Sequence, residues 1–152
     1  MRIAIGADHR GFQAKGQLVE HLRRSGHEVD DVGTHSPESC DYPDFAAAVG
    51  QRVGHGQAER GILVCGSGVG VCIAANKVAG VRAGVCHDTR SAEMSRRHND
   101  LNVLCLSADM IDRVPLDELL RVWFETPFEG GRHARRLEKI RQMECRSDKV
   151  TR

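Results

Sequence analysis

The chain has 152 residues, a length that forms one domain with a substantial core rather than two. Its formal net charge of +1 argues against binding to nucleic acid through bulk positive charge. No apolar run approaches a membrane span, and the start Met1-Arg-Ile-Ala-Ile-Gly6 runs straight into a strand rather than a signal peptide.

In chain order, Ile3 to His9 reads as a first strand ending in the polar pair Asp8-His9. Phe12, Leu18, Val19 and Leu22 then recur at helical spacing, and Gly26 supplies the stop. Glu28 to Gly33 is a weaker strand suited to a sheet edge. Thr34 to Asp44 is polar, holds Pro37 and Pro43, and reads as a loop before a small-residue helix over Phe45 to Val53. Ile62-Leu-Val64 is a short branched apolar run, the mark of a strand buried on both faces. Gly66, Gly68 and Gly70 break it, and Val71 to Lys77 resumes at helical spacing. Val81 to Cys86 gives a fourth strand ending in His87-Asp88, followed by a polar helix through Met94. His98-Asn99-Asp100 leads into a fifth strand, Leu101 to Leu106. Pro115 to Phe124 is another helix, and Gly130-Gly131 opens a last, basic one through Met143.

Strands alternating with helices predict an α/β fold, a three-layer αβα sandwich. Its core would be a Rossmann-like, five-stranded parallel sheet in the order 2-1-3-4-5. Residues 1–144 would form a single domain and 145–152 a C-terminal tail. Cys40, Cys65, Cys72, Cys86, Cys105 and Cys145 form no C-x-x-C pair, so reduced thiols in a cytoplasmic protein fit better than disulfides or zinc. In such sheets ligands bind beyond the carboxyl ends of the strands, at the switch between strands 1 and 3. That rule makes Asp8-His9 and Cys65-Gly66-Ser67 neighbours across one crevice.

Strand, glycine loop and helix together aim backbone N–H groups at an anion. Cys65 stands where the strand meets the loop. A thiol beside amides suits a reaction in which a proton leaves carbon and negative charge gathers on oxygen. Other readings compete. A dinucleotide fingerprint needs a glycine where Val71 stands, although Asp88 lies about where a ribose-binding acid would. A Walker loop needs an absent Gly-Lys-Ser/Thr ending, and a tight turn holding a buried cysteine is the plain alternative. Among the histidines, His9, His87 and His98 fall near strand ends beside Asp or Asn. Arg132 and Arg136 share a helical face, and two guanidinium forks there suit a phosphate, with a solvated basic helix as the alternative. No metal-ligand spacing is evident. The set fits a metal-free isomerase of a small phosphorylated sugar.

At this point the residues resemble a known family, the ribose-5-phosphate isomerase B group with the related galactose-6-phosphate isomerase subunits. The carriers are Ile5-Gly-Ala-Asp8-His9-Arg-Gly-Phe12, Asp41-Tyr-Pro-Asp44, Cys65-Gly-Ser-Gly-Val-Gly70 with Ile73-Ala-Ala-Asn-Lys77, His98-Asn99, and Glu129-Gly-Gly-Arg132-His133. They run in order from the start to about residue 144. The resemblance implies aldose–ketose isomerisation of ribose 5-phosphate through a cis-enediolate, without a cofactor. By that analogy Cys65 moves the proton between C2 and C1, and Ser67 helps position it. The N–H groups of Gly66, Gly68, Val69 and Gly70 would hold the enediolate oxygen. His98, with Asp8, would open the furanose ring. His9, Arg132 and Arg136 would grip the phosphate, and Tyr42 and Asn99 would contact the sugar. A homodimer with shared active sites, or a tetramer, is implied too.

One family branch uses a glutamate after the glycines as base; Val71 cannot take a proton, so this chain resembles the cysteine branch. A second departure is Asp109, where many members carry a phosphate-reaching arginine; Arg113 follows one turn later. Asp109 is expected to turn away or to pair with a cation. The rival readings are an isomerase of a tetrose or hexose phosphate, a nucleotide-binding or sensory module on the same fold, and an inactive partner in a mixed complex.

Overall fold

The computed structural model describes residues 1–147, with side chains described as far as residue 144. Three strands form the centre of one parallel sheet: β1 (Arg2–Ala7), β3 (Arg60–Cys65) and β5 (Val103–Ser107). Apart from their first residues they are buried throughout, because apolar or small side chains point to both faces. The half-exposed strands β2 (Glu28–Asp31) and β4 (Ala83–Val85) take the two edges. All neighbours run parallel, in the order β2-β1-β3-β5-β4. The α/β class and the five-stranded parallel sheet are as expected from the sequence. The order 2-1-3-4-5 is not, since the last two strands change places.

The helices explain the exchange. On one face, α1 (Phe12–Arg24), α4 (Thr89–Asn99) and α5 (Leu116–Glu125) set Leu18, Leu22, Ala92, Leu119, Leu120 and Trp123 against Ile3, Ile62 and Leu104. On the other, α2 (Tyr42–Gly54) and α3 (Val69–Ala75) set Ala46, Val49, Val71 and Ala75 against Ala4, Leu63, Val103 and Cys105. Right-handed crossovers put a helix on one face when the chain advances across the sheet and on the other when it returns. Both α2 and α3 advance; α1 and α4 return. The order 2-1-3-4-5 would place α4 beside α2 and α3. Val103–Ser107, apolar up to its last residue and buried along its length, takes the protected interior position, and the three-residue β4 is left at the rim.

Several boundaries also move. The second helix begins at Tyr42, inside the stretch expected to be a loop, because Pro43 is tolerated in a first turn where its missing N–H has no partner to lose. α3 begins at Val69, two residues early. α4 reaches Asn99 rather than Met94. Asp88 accepts from Ser91 N–H at 2.6 Å while Ser91 Oγ accepts from Asp88 N–H at 3.2 Å, a reciprocal cap. The pairs Glu93–Arg97 and Arg96–Asp100 then support the helix to its end. His98 and Asn99 are therefore its last turn and not a loop. The last helix, α6 (Arg132–Ser147), continues three residues into the stretch expected to be a tail; residues 148–152 of that stretch lie outside the described residues. No described helix is long and apolar enough to cross a membrane.

The edge strand β2 is fastened to α1 by a buried ion pair: Lys15, 3% exposed, reaches Asp31 at 2.5 and 2.6 Å. Removing one partner of such a pair leaves an uncompensated charge. Asp31→Ala should therefore cost about 3 kcal/mol of stability, and Lys15→Met distinctly less. Urea unfolding midpoints check this; equal losses would show that the pair is solvated.

Candidate active site

Three strand ends meet at one edge of the sheet. β1 is followed by Asp8, His9 and Arg10, β3 ends on Cys65 before Gly66 and Ser67, and β5 ends on Ser107 before Ala108 and Asp109. Cys65 is 5% exposed, and its Sγ lies 3.2 Å from the N–H of Gly68. An amide aimed at sulfur is a contact that favours negative charge there. Gly68 makes it possible: its φ of 78° is left-handed, which lets the loop fold back over the thiol. Ser67 Oγ accepts from Val69 N–H at 3.2 Å, tying the loop to the start of α3. The N–H groups of Val69, Gly70 and Val71 lie in the first turn, where no intrahelical carbonyl can reach them.

Tyr42, 40% exposed at the start of α2, lays its ring on Gly70; a Cβ at that position would meet ring carbon Cζ at 2.7 Å. Asp8 is buried, and its Oδ1 accepts from the N–H groups of Arg10 and Gly11 at 3.0 and 3.1 Å. One carboxylate oxygen thus turns the chain into α1. His9 Nδ1 lies 3.2 Å from the carbonyl oxygen and 3.3 Å from the N–H of Cys40. Asp8-His9 and Cys65 with its loop therefore stand side by side at the carboxyl ends of the paired strands β1 and β3, as expected from their order, with Tyr42 against the loop. Val71 is fully buried, so no side chain from that position reaches the crevice.

His98, Asn99, Arg132 and Arg136 are elsewhere. His98 and Asn99 end α4, just before Asn102, whose carbonyl accepts from Gly61 near the start of β3. The residues from Gly61 to Cys65 rise about 13 Å, so His98 and the thiol of the same chain are separated by the height of the sheet. His98 stacks on His133, centroids 4.2 Å apart and planes within 9°. Glu129 stands beside both rings, 3.9 Å from His98 Nε2 and 4.0 Å from His133 Nε2, and is itself held by Arg97 at 3.0 Å. Hydrogen bonding to Arg97 keeps the Glu129 carboxyl below its ordinary range, and burial, with His98 next, pushes His133 down. Arg132 and Arg136 project from one face of α6, both exposed, with Arg132 Nε 3.4 Å from His133 Nε2.

The ligand atoms of His98, Glu129 and His133 lie within 4.8 Å of one another, a spacing that a metal ion can use. Arg97 and Arg132 already supply positive charge there, and the near-parallel rings do not converge on one point. A cavity of about 550 Å³ also lies at this end, between the segment Asn76 to Ala83 and the α6 side chains Leu137, Ile140 and Met143, with Asn99 at its edge. Its lining holds no thiol, so the thiol-bearing crevice is the better candidate.

Sequence reasoning gave no role to Arg10, Glu129 or His133. The i, i+4 spacing of Glu129 and His133 carried a signal; nothing local linked Arg10 to Asp109, which are joined only by the fold. Asp109 pairs with a cation, as expected: Arg10 Nη2 reaches its two oxygens at 2.7 and 2.9 Å.

Comparison with known proteins agrees with this geometry. A family model described as Ribose/Galactose Isomerase matches residues 3–140. The chain is 46% identical to ribose-5-phosphate isomerase B of Escherichia coli K12 over 145 residues, 95% of this chain and 97% of that protein. The solved ribose-5-phosphate isomerase B of Clostridium thermocellum superposes with a TM-score of 0.92 at 45% identity, over 97% of this chain and 99% of that one. The Mycoplasma genitalium enzyme, solved with bound ribulose-5-phosphate, gives 0.89 at 40% identity, over 94% and 95%. A family match over residues 3–140, with relatives at 40–46% identity across nearly the whole length, establishes that the chain belongs to the ribose/galactose isomerase family.

Proposed function

We propose that this chain interconverts ribose 5-phosphate and ribulose 5-phosphate through a cis-enediolate, with Cys65 as the base. In the open-chain aldose, the thiolate takes the C2 proton while the carbonyl oxygen gains the charge that leaves carbon. The same sulfur returns the proton to C1, and the hydroxyl proton passes between the two oxygens. The amides of Gly66, Gly68, Val69 and Gly70 line the place where that charge gathers, where each well-aimed donor contributes roughly 2.7–4 kcal/mol to lowering the barrier. Ser67 fixes the loop. The observation that carries the reading is the sulfur itself, buried at a strand end, 3.2 Å from Gly68 N–H, with no carboxylate at position 71 to replace it.

The remaining roles require a second copy. His98 with Asp8 would open the furanose, His9, Arg132 and Arg136 would hold the phosphate, and Tyr42 and Asn99 would contact the sugar. Within one chain these groups fall at opposite ends of the sheet. A homodimer that brings the His98 end of one protomer to the Cys65 end of the other completes two equal sites. The five described cysteines are unpaired, which suits the reducing cytoplasm.

A turnover screen of the purified protein against four-, five- and six-carbon aldose phosphates tests the substrate. Ribose 5-phosphate should have the highest kcat/KM. A tetrose or hexose phosphate turned over faster would replace the pentose and leave the chemistry in place.

A further inference from the structure

The Arg10–Asp109 pair is unlike the other ion pairs of the chain, because it lies on the reactive loop. Arg10 reaches across the end of β1 so that its guanidinium covers Gly66; a Cβ on that glycine would stand 2.9 Å from both Cζ and Nε. A side chain at position 66 would push the guanidinium off this seat. Asp109 is fastened to the same residue, its N–H donating to Gly66 carbonyl oxygen at 3.2 Å beside Ser107 Oγ at 2.7 Å. The clasp therefore links the ends of the three central strands over the residue that follows Cys65. Only Nη2 is used by Asp109, which leaves the Nε and Nη1 donors of a guanidinium that is 57% exposed.

The electrostatics of the crevice give those donors a purpose. Asp8 is buried at the end of β1, and Asp41 and Asp44 stand at the start of α2 beside Tyr42. In the segments that follow β1 and β3, Arg10 is the one permanent cation. A dianionic substrate entering between these strands meets acids, and a fixed guanidinium is the same-chain group able to offset them. We propose that Arg10 is a phosphate-binding, specificity-determining residue of this site, presented over Gly66 by Asp109, and that Asp109 is its positioning counter-ion. This rests on the sugar-phosphate reading above. It also means that the acid at position 109 does not strip the crevice of charge, since the cation enters from strand 1.

The test is steady-state kinetics with ribose 5-phosphate, together with inhibition by inorganic phosphate. Arg10→Gln should raise KM and the phosphate inhibition constant by about ten-fold or more, with little change in kcat, because a remote phosphate contact acts alike on ground and transition states. Arg10→Lys keeps the charge without the fork and should recover part of the loss. Asp109→Asn keeps an acceptor for Nη2 while removing the competing charge, and should lower both constants by up to about five-fold. Unchanged KM and phosphate inhibition in Arg10→Gln would overturn the contact. So would a fall in kcat alone, or an Asp109→Asn variant as impaired as Arg10→Gln, which would reduce the pair to a loop brace. Absence of wild-type turnover would instead overturn the substrate reading, so the two failures are distinguishable.

Discussion

Cys65→Ser should lower the exchange of the substrate C2 proton with solvent by about 10²–10⁴-fold while leaving sugar-phosphate binding in place. The reason is chemical rather than structural. The hydroxyl is smaller than the thiol and fits the same space beside Gly68 N–H, but a serine oxygen gives up its proton far less readily than sulfur does. On the proposed reading, binding would rest on the loop amides, the arginines and Tyr42, and the change removes none of these groups. A second thiol provides the control. Cys72, on α3, is lowered to about 7 because Cys105 donates a hydrogen bond to its sulfur, and Cys105 is correspondingly pushed well above the ordinary thiol range. Cys72 therefore gives up its proton more readily than an ordinary thiol, yet its Sγ donates to the carbonyl oxygen of Ala83 on β4, 3.5 Å away, rather than facing the loop. Cys72→Ser should leave exchange nearly intact. Exchange at the wild-type rate in Cys65→Ser, or its loss in Cys72→Ser, would move the base to another residue.

The crevice between β1 and β3 was legible because every element of it is local. An apolar run, three glycines and a thiol mark a strand end wherever the strand falls in the sheet. The neighbouring strand end, Asp8-His9, follows from the placement of strands 1 and 3, which the parallel-sheet rules fix. The order of β4 and β5 was less accessible. It depends on which face α4 covers, and Ala92 joins the core that α1 and α5 form on one face, a placement no local pattern announces. The extension of α4 to Asn99 rests on a capping box and two i, i+4 ion pairs, each readable but easily outweighed by the polar run His98-Asn99-Asp100. The Arg10–Asp109 clasp joins residues 99 positions apart, and no periodicity announces such a contact. The family resemblance implied a homodimer with shared sites, but no local pattern showed which groups fall at which end of one chain: Cys65 ends β3, whereas His98 precedes β5 at the opposite end of the sheet.

That separation leads to a result that two individually inactive variants should give together. Cys65→Ser damages the strand-end crevice, and His98→Asn damages the opposite end, where the imidazole stacks on His133 beside Glu129. In the proposed homodimer each variant carries one lesion in both of its sites, so turnover of cyclic ribose 5-phosphate should be nearly lost in both. If the two proteins are unfolded, mixed in equal amounts and refolded, random pairing makes half of the dimers hybrids. In a hybrid with two-fold symmetric contacts, one site combines both lesions and the other receives the intact crevice of one chain and the intact His98 end of its partner. About a quarter of wild-type activity should therefore return. The His98→Asn parent should also retain more activity on erythrose 4-phosphate, which has no furanose ring to open, than on the pentose. If each site were complete within a single chain, mixing would restore nothing beyond the average of the two parents. The His98 cluster would then have to act on the thiol crevice of its own chain across about 13 Å of sheet, farther than a histidine side chain can extend.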